Sequence, residues 1–226
     1  MHSIIAKTLS IGYDLAKINL YFIRGFFMEE IVDKIDKVKL DNLISEELRT
    51  ENILDKSKLL ISKDQLYLSF DNIAFDITLQ LKDSNPIVIC VMNGGLMFTS
   101  ELLKRLRFPL QLDYVHASRY GENITPGATL NWKKHPSIDL LNRNIILVDD
   151  VLDGGVTFAR IRDYCLEKGA KSVNTVVMVD KKVDRDPTGL KSADFSCVSV
   201  GDEYIFGFGL DYKGYWRNLP GIYALK

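Results

Sequence analysis

The segment NIILVDDVLDGGVTF, Asn144 to Phe158, places Asp149, Asp150 and Asp153 close together and follows them with Gly154, Gly155, Val156 and Thr157. A glycine turn entering a helix presents unpaired backbone N–H groups and the positive end of the helix dipole, which suits an anion. Two glycines let the backbone approach that anion closely, and the Thr157 hydroxyl adds a donor. Adjacent carboxylates at a strand end cannot both be buried unpaired, because desolvation would neutralise one of them. Asp149 and Asp150 therefore face water, hydroxyl groups or a divalent cation such as Mg²⁺. A ribose 5-phosphate satisfies both halves of the segment, with its phosphate on the amides and its diol on the acids. The plainer alternative is a solvated acidic turn in which Asp153 caps the helix.

These side chains need elements to hold them. Ile145–Val148 is a continuous apolar run, as in a strand covered on both faces. Phe158, Ile161, Tyr164 and Cys165 recur at helical spacing and stop at Gly169. From Pro86 onward strand and helix signals alternate: PIVICVM, then LMFTSELLKRL, LQLDYVHAS, NIILVDD, VTFARIRDYCLEKG, SVNTVVMV, DFSCVSV and YIFGFGLDY. That order predicts an α/β fold, a mostly parallel twisted sheet flanked by helices. Ligands of such sheets bind beyond the carboxyl ends of the strands, where the polar clusters after Met92, Val148 and Val179 fall. Before Pro86 the chain reads mostly helical over residues 29–82. Leu66, Phe70, Ile73, Ile77 and Leu81 predict a long amphipathic helix that ends before Asn85-Pro86.

Bulk properties narrow the function. The chain has 226 residues, 46% hydrophobic, with a net charge of −1, which disfavours a broad nucleic-acid surface. Cys90, Cys165 and Cys197 lie in apolar or amphipathic runs without metal spacing, as buried thiols of a cytoplasmic protein would. His116 and His135 have no partner at metal-ligand spacing, and both read as structural. Neither G-x-x-x-x-G-K-[ST] nor G-x-G-x-x-G is present, which disfavours a nucleoside triphosphatase and a dinucleotide site. Residues 1–27 are apolar but interrupted by Lys7, Asp14, Lys17 and Arg24. They predict neither a membrane span nor a cleaved signal. A docking or interfacial helix fits them, and so does an upstream start codon before a natural start at Met28. The expected organisation is this extension followed by one domain over residues 28–226.

The pattern of four hydrophobics, two acids, two hydrophobics, Asp, small, Gly, x, Thr resembles the phosphoribosyl-pyrophosphate signature of type I phosphoribosyltransferases, and of their hypoxanthine-guanine branch in particular. The likeness runs from about Pro86 to the C-terminus and implies a small hood built from N- and C-terminal segments. VMNGGLMF resembles the pyrophosphate loop, with Asn93 and Gly94 presenting amides to the diphosphate and a cis peptide at Met92–Asn93. HASRYGENITPGATLNW resembles the mobile loop, in which Ser118 and Tyr120 cover the pyrophosphate. The resemblance gives Lys181 the exocyclic oxygen of a 6-oxopurine, although Lys182 stands next to it. In DEYIFGFGLDYKGYWR it gives Tyr204 a stacking role, the Ile205 backbone the base edge, Asp211 a second Mg²⁺ and Arg217 the pyrophosphate. Asp153 becomes the base near N7 of the purine.

The chain departs from the family at Gly154, where a threonine is usual, and at Val156, where a lysine is common. Loss of the threonine hydroxyl predicts weaker donor binding. The expectation is purine salvage: Mg²⁺-dependent transfer from phosphoribosyl pyrophosphate to hypoxanthine or guanine by a homo-oligomer, dimer or tetramer, without nucleic-acid or membrane partners. A relative preferring xanthine or another base, and a non-catalytic nucleic-acid-binding regulator of the same fold, are the alternatives.

Overall fold

The computed structural model describes residues 53–118 and 130–226. The extension over residues 1–27, the boundary at Met28 and Tyr120 lie outside the described residues. Lys56–Lys226 forms one compact unit.

The predicted amphipathic helix is α1, Lys63–Leu81. Ser62 caps it: its hydroxyl accepts from the Gln65 N–H at 3.3 Å, and the Gln65 side chain accepts from the Ser62 N–H at 2.8 Å. This reciprocal box satisfies two N–H groups that the helix start would otherwise orphan. Leu66, Phe70, Ile73, Ala74 and Ile77 form its buried stripe. The helix stops at Leu81, four residues before Asn85, whose left-handed φ of 44° turns the chain into Pro86.

Six strands build the main sheet: β2 (Ile87–Val91), β3 (Gln111–Ser118), β4 (Asn131–Lys134), β5 (Asn144–Leu152), β6 (Ser172–Lys181) and β7 (Phe195–Val200). Their order is β4-β3-β2-β5-β6-β7, parallel throughout except for the antiparallel edge pair β3/β4. The two faces follow from alternation along the strands. Val88, Ile146, Val148 and Met178 pack with α1 and with α2 (Gly95–Leu103). Ile87, Ile89, Ile145, Leu147 and Val177 pack with Phe158, Ile161 and Cys165 of α3 (Val156–Glu167). The chain leaves β2 toward one edge of the sheet and leaves β5 toward the other. Their adjacent carboxyl ends therefore border the crevice at which doubly wound sheets bind ligands.

Three expectations need correction. The segment Ser57–Ile61, inside the stretch read as helical, is strand β1, pairing antiparallel with β9 (Ile222–Leu225). Its partner comes from the far end of the chain, so no local period discloses it. The loop-like HASRYGENITPGATLNW ends in β4, with Trp132 opposite Ala117. YIFGFGLDY yields only the two-residue β8, Ile205–Phe206. Gly207, Phe208 and Gly209 have φ of 98°, 50° and 102°, and these values break the strand at once. Strands β1, β9 and β8 form a separate three-stranded sheet.

Candidate active site

Three segments meet at the switch point around a cavity of about 310 Å³. The first is the turn after β2. Its Met92–Asn93 peptide is cis, and Gly94 lies directly over the Asp150 side chain. A Cβ on Gly94 would come within 1.8 Å of Asp150 Oδ2, so any side chain at this position would displace the Asp150 carboxylate. The Gly94 carbonyl in turn abuts Gly209, whose own Cβ would fall 2.4 Å from it.

The second segment is the end of β5 and the turn into α3. The Asp150 N–H donates to Asp149 Oδ1 at 2.8 Å. Both carboxyl groups reach the cavity yet are embedded among protein atoms. Burial raises Asp149 well above the usual carboxylate range, and the neighbouring Asp150 charge raises it further. Asp150 is also raised, chiefly by burial. The Arg217 charge opposes both shifts without cancelling them. The pair is short of positive charge, which is the condition a divalent cation relieves. Among the described residues no cluster of three or more His, Cys, Asp or Glu side chains could hold a metal, so ligand oxygens and water would complete the coordination of an ion bound to these two.

Beyond the acids, Gly155 rather than Asp153 is the N-cap of α3, in the left-handed region at φ 75°. The plainer reading of Asp153 as a helix cap is thereby set aside. A Cβ on Gly155 would lie 2.5 Å from the Leu190 carbonyl oxygen. The Leu190 N–H donates to the Gly155 carbonyl at 3.1 Å, and the Gly154 carbonyl abuts Gly189. The turn is therefore braced from behind by the loop that follows β6. Gly154, Gly155 and Thr157 line the cavity, whereas Val156 does not.

The Asp153 side chain is 58% exposed and lies 3.7 Å from Lys181 Nζ. Lys181 is only 10% exposed and also faces Asp202 at 3.5 Å. Lys182 points outward and pairs with Asp180 at 3.1 Å. Of the two lysines, Lys181 is the one beside Asp153.

The third segment follows β8. Arg217 Nη2 donates to Asp211 Oδ1 at 2.5 Å, and the Gly214 N–H donates to Asp211 Oδ2 at 2.8 Å. Arg217 Nη1 donates to the Gly209 carbonyl. Asp211 and Arg217 both line the cavity, locked to each other, although each Asp211 oxygen keeps a further lone pair. Tyr204 is half exposed, and its hydroxyl donates to the Asp211 carbonyl at 3.3 Å. Ile205 is buried and registers with Ala224 of β9. Asn93, Gly94, Asp149, Asp150 and Asp153 also border the cavity; Lys181, Tyr204 and Ile205 stand outside its lining. Ser118 ends β3. His135 stacks on Trp132 with ring centroids 4.5 Å apart, away from the site.

The phosphoribosyl transferase domain model matches residues 62–213, a span containing the turn after β2, the acidic-glycine turn and Lys181. The chain belongs to the phosphoribosyltransferase family. It is 30% identical over 172 residues to the hypoxanthine-guanine phosphoribosyltransferase of Streptococcus pneumoniae, an alignment covering 76% of this chain and 94% of that protein. It is 30% identical over 175 residues to the enzyme of the same name from Bacillus subtilis, again covering 76% and 94%. A solved hypoxanthine-guanine-xanthine phosphoribosyltransferase superposes with a TM-score of 0.68 at 27% identity, covering 76% of this chain and 99% of that one. As a phosphoribosyltransferase, the chain carries its acids and its glycine turn on one crevice, as the spacing in the sequence predicts. Sequence reasoning passed over Gly189 and Leu190, which brace that turn, and Arg185, which donates to the Asp153 carbonyl, because they belong to a later loop with no motif of its own.

Proposed function

We propose that the chain transfers the phosphoribosyl group of phosphoribosyl pyrophosphate to N9 of hypoxanthine or guanine and releases pyrophosphate. The observation that carries this reading is the joining, at the switch point, of a braced left-handed glycine turn to two half-buried carboxylates. The turn suits the 5-phosphate, and the carboxylates suit the ribose hydroxyls. Gly155 to Thr157 bind the phosphate through amides and a hydroxyl. Asn93 and Gly94 offer amides to the diphosphate, and Arg217 offers it a planar cation. Tyr204 supplies a flat surface for the purine, the Ile205 backbone reads its edge, and Lys181 donates to the exocyclic oxygen.

Asp153 accepts or shares the proton at N7, and its spacing of 3.7 Å from Lys181 allows both to address one bicyclic base. Ser118 and Tyr120 cover the pyrophosphate, and the sheet of β1, β9 and β8 acts as the hood. Mg²⁺ would be held by Asp149 and Asp150, with Asp211 the candidate for a second ion, and when bound it offsets charge on the departing diphosphate. With charge separating between the ribose and the leaving group, the protein contributes orientation and electrostatics. A cytoplasmic homo-oligomer is part of this reading.

The test is purified protein with Mg²⁺, phosphoribosyl pyrophosphate and a panel of adenine, hypoxanthine, guanine and xanthine. IMP and GMP are the expected products, with stoichiometric pyrophosphate. Absence of nucleotide with every base overturns the proposal. A xanthine nucleotide alone would move the assignment to the xanthine-preferring alternative.

A further inference from the structure

We infer that Arg185 is a positioning residue that sets the spacing of Asp153 and Lys181, an inference that rests on the transferase reading above. The parallel ladder between β5 and β6 ends at the pair Leu152↔Asp180. Asp153 is the first residue past β5 and Lys181 the last residue of β6, so this ladder no longer fixes their separation. Arg185 reaches into the gap from the loop after β6, with a side chain only 11% exposed. Its Nε donates to the Asp153 carbonyl at 3.1 Å. Its Nη2 donates to the Lys181 carbonyl at 2.8 Å and lies 3.5 Å from the Leu152 carbonyl. Its Nη1 donates to the Lys191 carbonyl, one residue past the Leu190 brace.

The carboxylate of Asp180 aims the guanidinium through Oδ1, and Lys182 holds the other oxygen at 3.1 Å. One planar cation thus ties the two strand ends to each other and to the loop behind the glycine turn. Lysine could not substitute. An ammonium is a single point, whereas the guanidinium has donors facing three directions in a fixed plane. The Asp153 backbone gains from Arg185 the anchor that the ladder stops providing.

The experiment measures kcat and KM for wild type, R185Q, D153N and the double variant, with circular dichroism to confirm folding. R185Q is expected to lower kcat by about tenfold to a hundredfold, the range for a small misplacement of a reacting group. Its KM for phosphoribosyl pyrophosphate should stay within about twofold, because the glycine turn keeps its own brace at Leu190. In the D153N background the same substitution should change kcat by less than about twofold, since its route of action is already gone. An equal loss in both backgrounds, or an unchanged kcat in R185Q, overturns the inference. If R185Q does not fold, R185K retains the charge beside Asp180 and should show the same loss and the same non-additivity. Wild-type protein that makes no nucleotide would instead remove the transferase reading; wild-type turnover with additive losses removes only the Arg185 assignment.

Discussion

At the scale of single residues, adjacency and exposure separate the roles of the three acids. Asp153 is more than half exposed, so Asp153→Asn should leave the melting temperature within a few degrees. Its kcat should fall by roughly 10² to 10⁴, the usual contribution of a general base. Steady-state kinetics on the folded variant decide this, and unchanged turnover would remove Asp153 from the chemistry. Asp149 behaves differently because burial and Asp150 raise its pKa in the folded state. A carboxyl group raised on folding holds more protons folded than unfolded, so stability declines as pH climbs above its unfolded pKa of about 4. The decline continues until the raised folded pKa has been passed. Asp149→Asn should therefore raise the melting temperature of the metal-free protein, and by more at pH 7.5 than at pH 5. The same variant should lose the stabilisation that Mg²⁺ with ligand gives wild type. Thermal melts in chelator across pH 5–8 test the sign, and a difference that shrinks with rising pH would refute it.

At the scale of elements, the glycines at the two turns act by different means. Gly155 is held in the left-handed region with the Leu190 carbonyl against it, so Gly155→Ala meets both backbone strain and a backbone collision. A loss of about 1–3 kcal/mol in denaturant melts is expected. Gly94 has an ordinary φ, and the atoms that its Cβ would strike belong to the Asp150 side chain. Gly94→Ala should therefore fold nearly as well as wild type while displacing Asp150, and donor binding measured by calorimetry should weaken at least tenfold. Equal donor affinity would show that Asp150 does not touch the donor.

The elements also show what could be read from the sequence. Strands β2, β5 and β6 announce themselves as continuous apolar runs because both faces are covered, and α1 does so by its stripe. The acids and glycines of the turn into α3 were legible because one short segment carries both. Strand β1 was not, since Lys58 and Leu59 acquire strand geometry only by pairing with Ala224 and Tyr223. Arg185 was equally hidden: its five carbonyl and carboxylate partners lie on three segments that only the folded chain brings together.

At the scale of the whole molecule, the cavity is a junction. One wall comes from the main sheet through Asp149 and Asp150, and another from the loop carrying Asp211 and Arg217. That loop begins at β8 and returns to β9, both strands of the small sheet. Its position is fixed by the contact of Gly209 with Gly94 and by the donation from Arg217 to Gly209. A ligand touching both walls has more contacts in the intact molecule than in any part of it. Its binding energy should therefore oppose unfolding of the two sheets together. By mass action, GMP with pyrophosphate and Mg²⁺ at about a hundred times its dissociation constant should stabilise the fold by about 2.7 kcal/mol. Calorimetry should show a single transition moving upward as a unit. Arg217→Ala should weaken that shift by detaching the loop from both Asp211 and Gly209. A melt that splits in two, with only one half responding to ligand, would show that the small sheet unfolds independently and that the cavity closes without it.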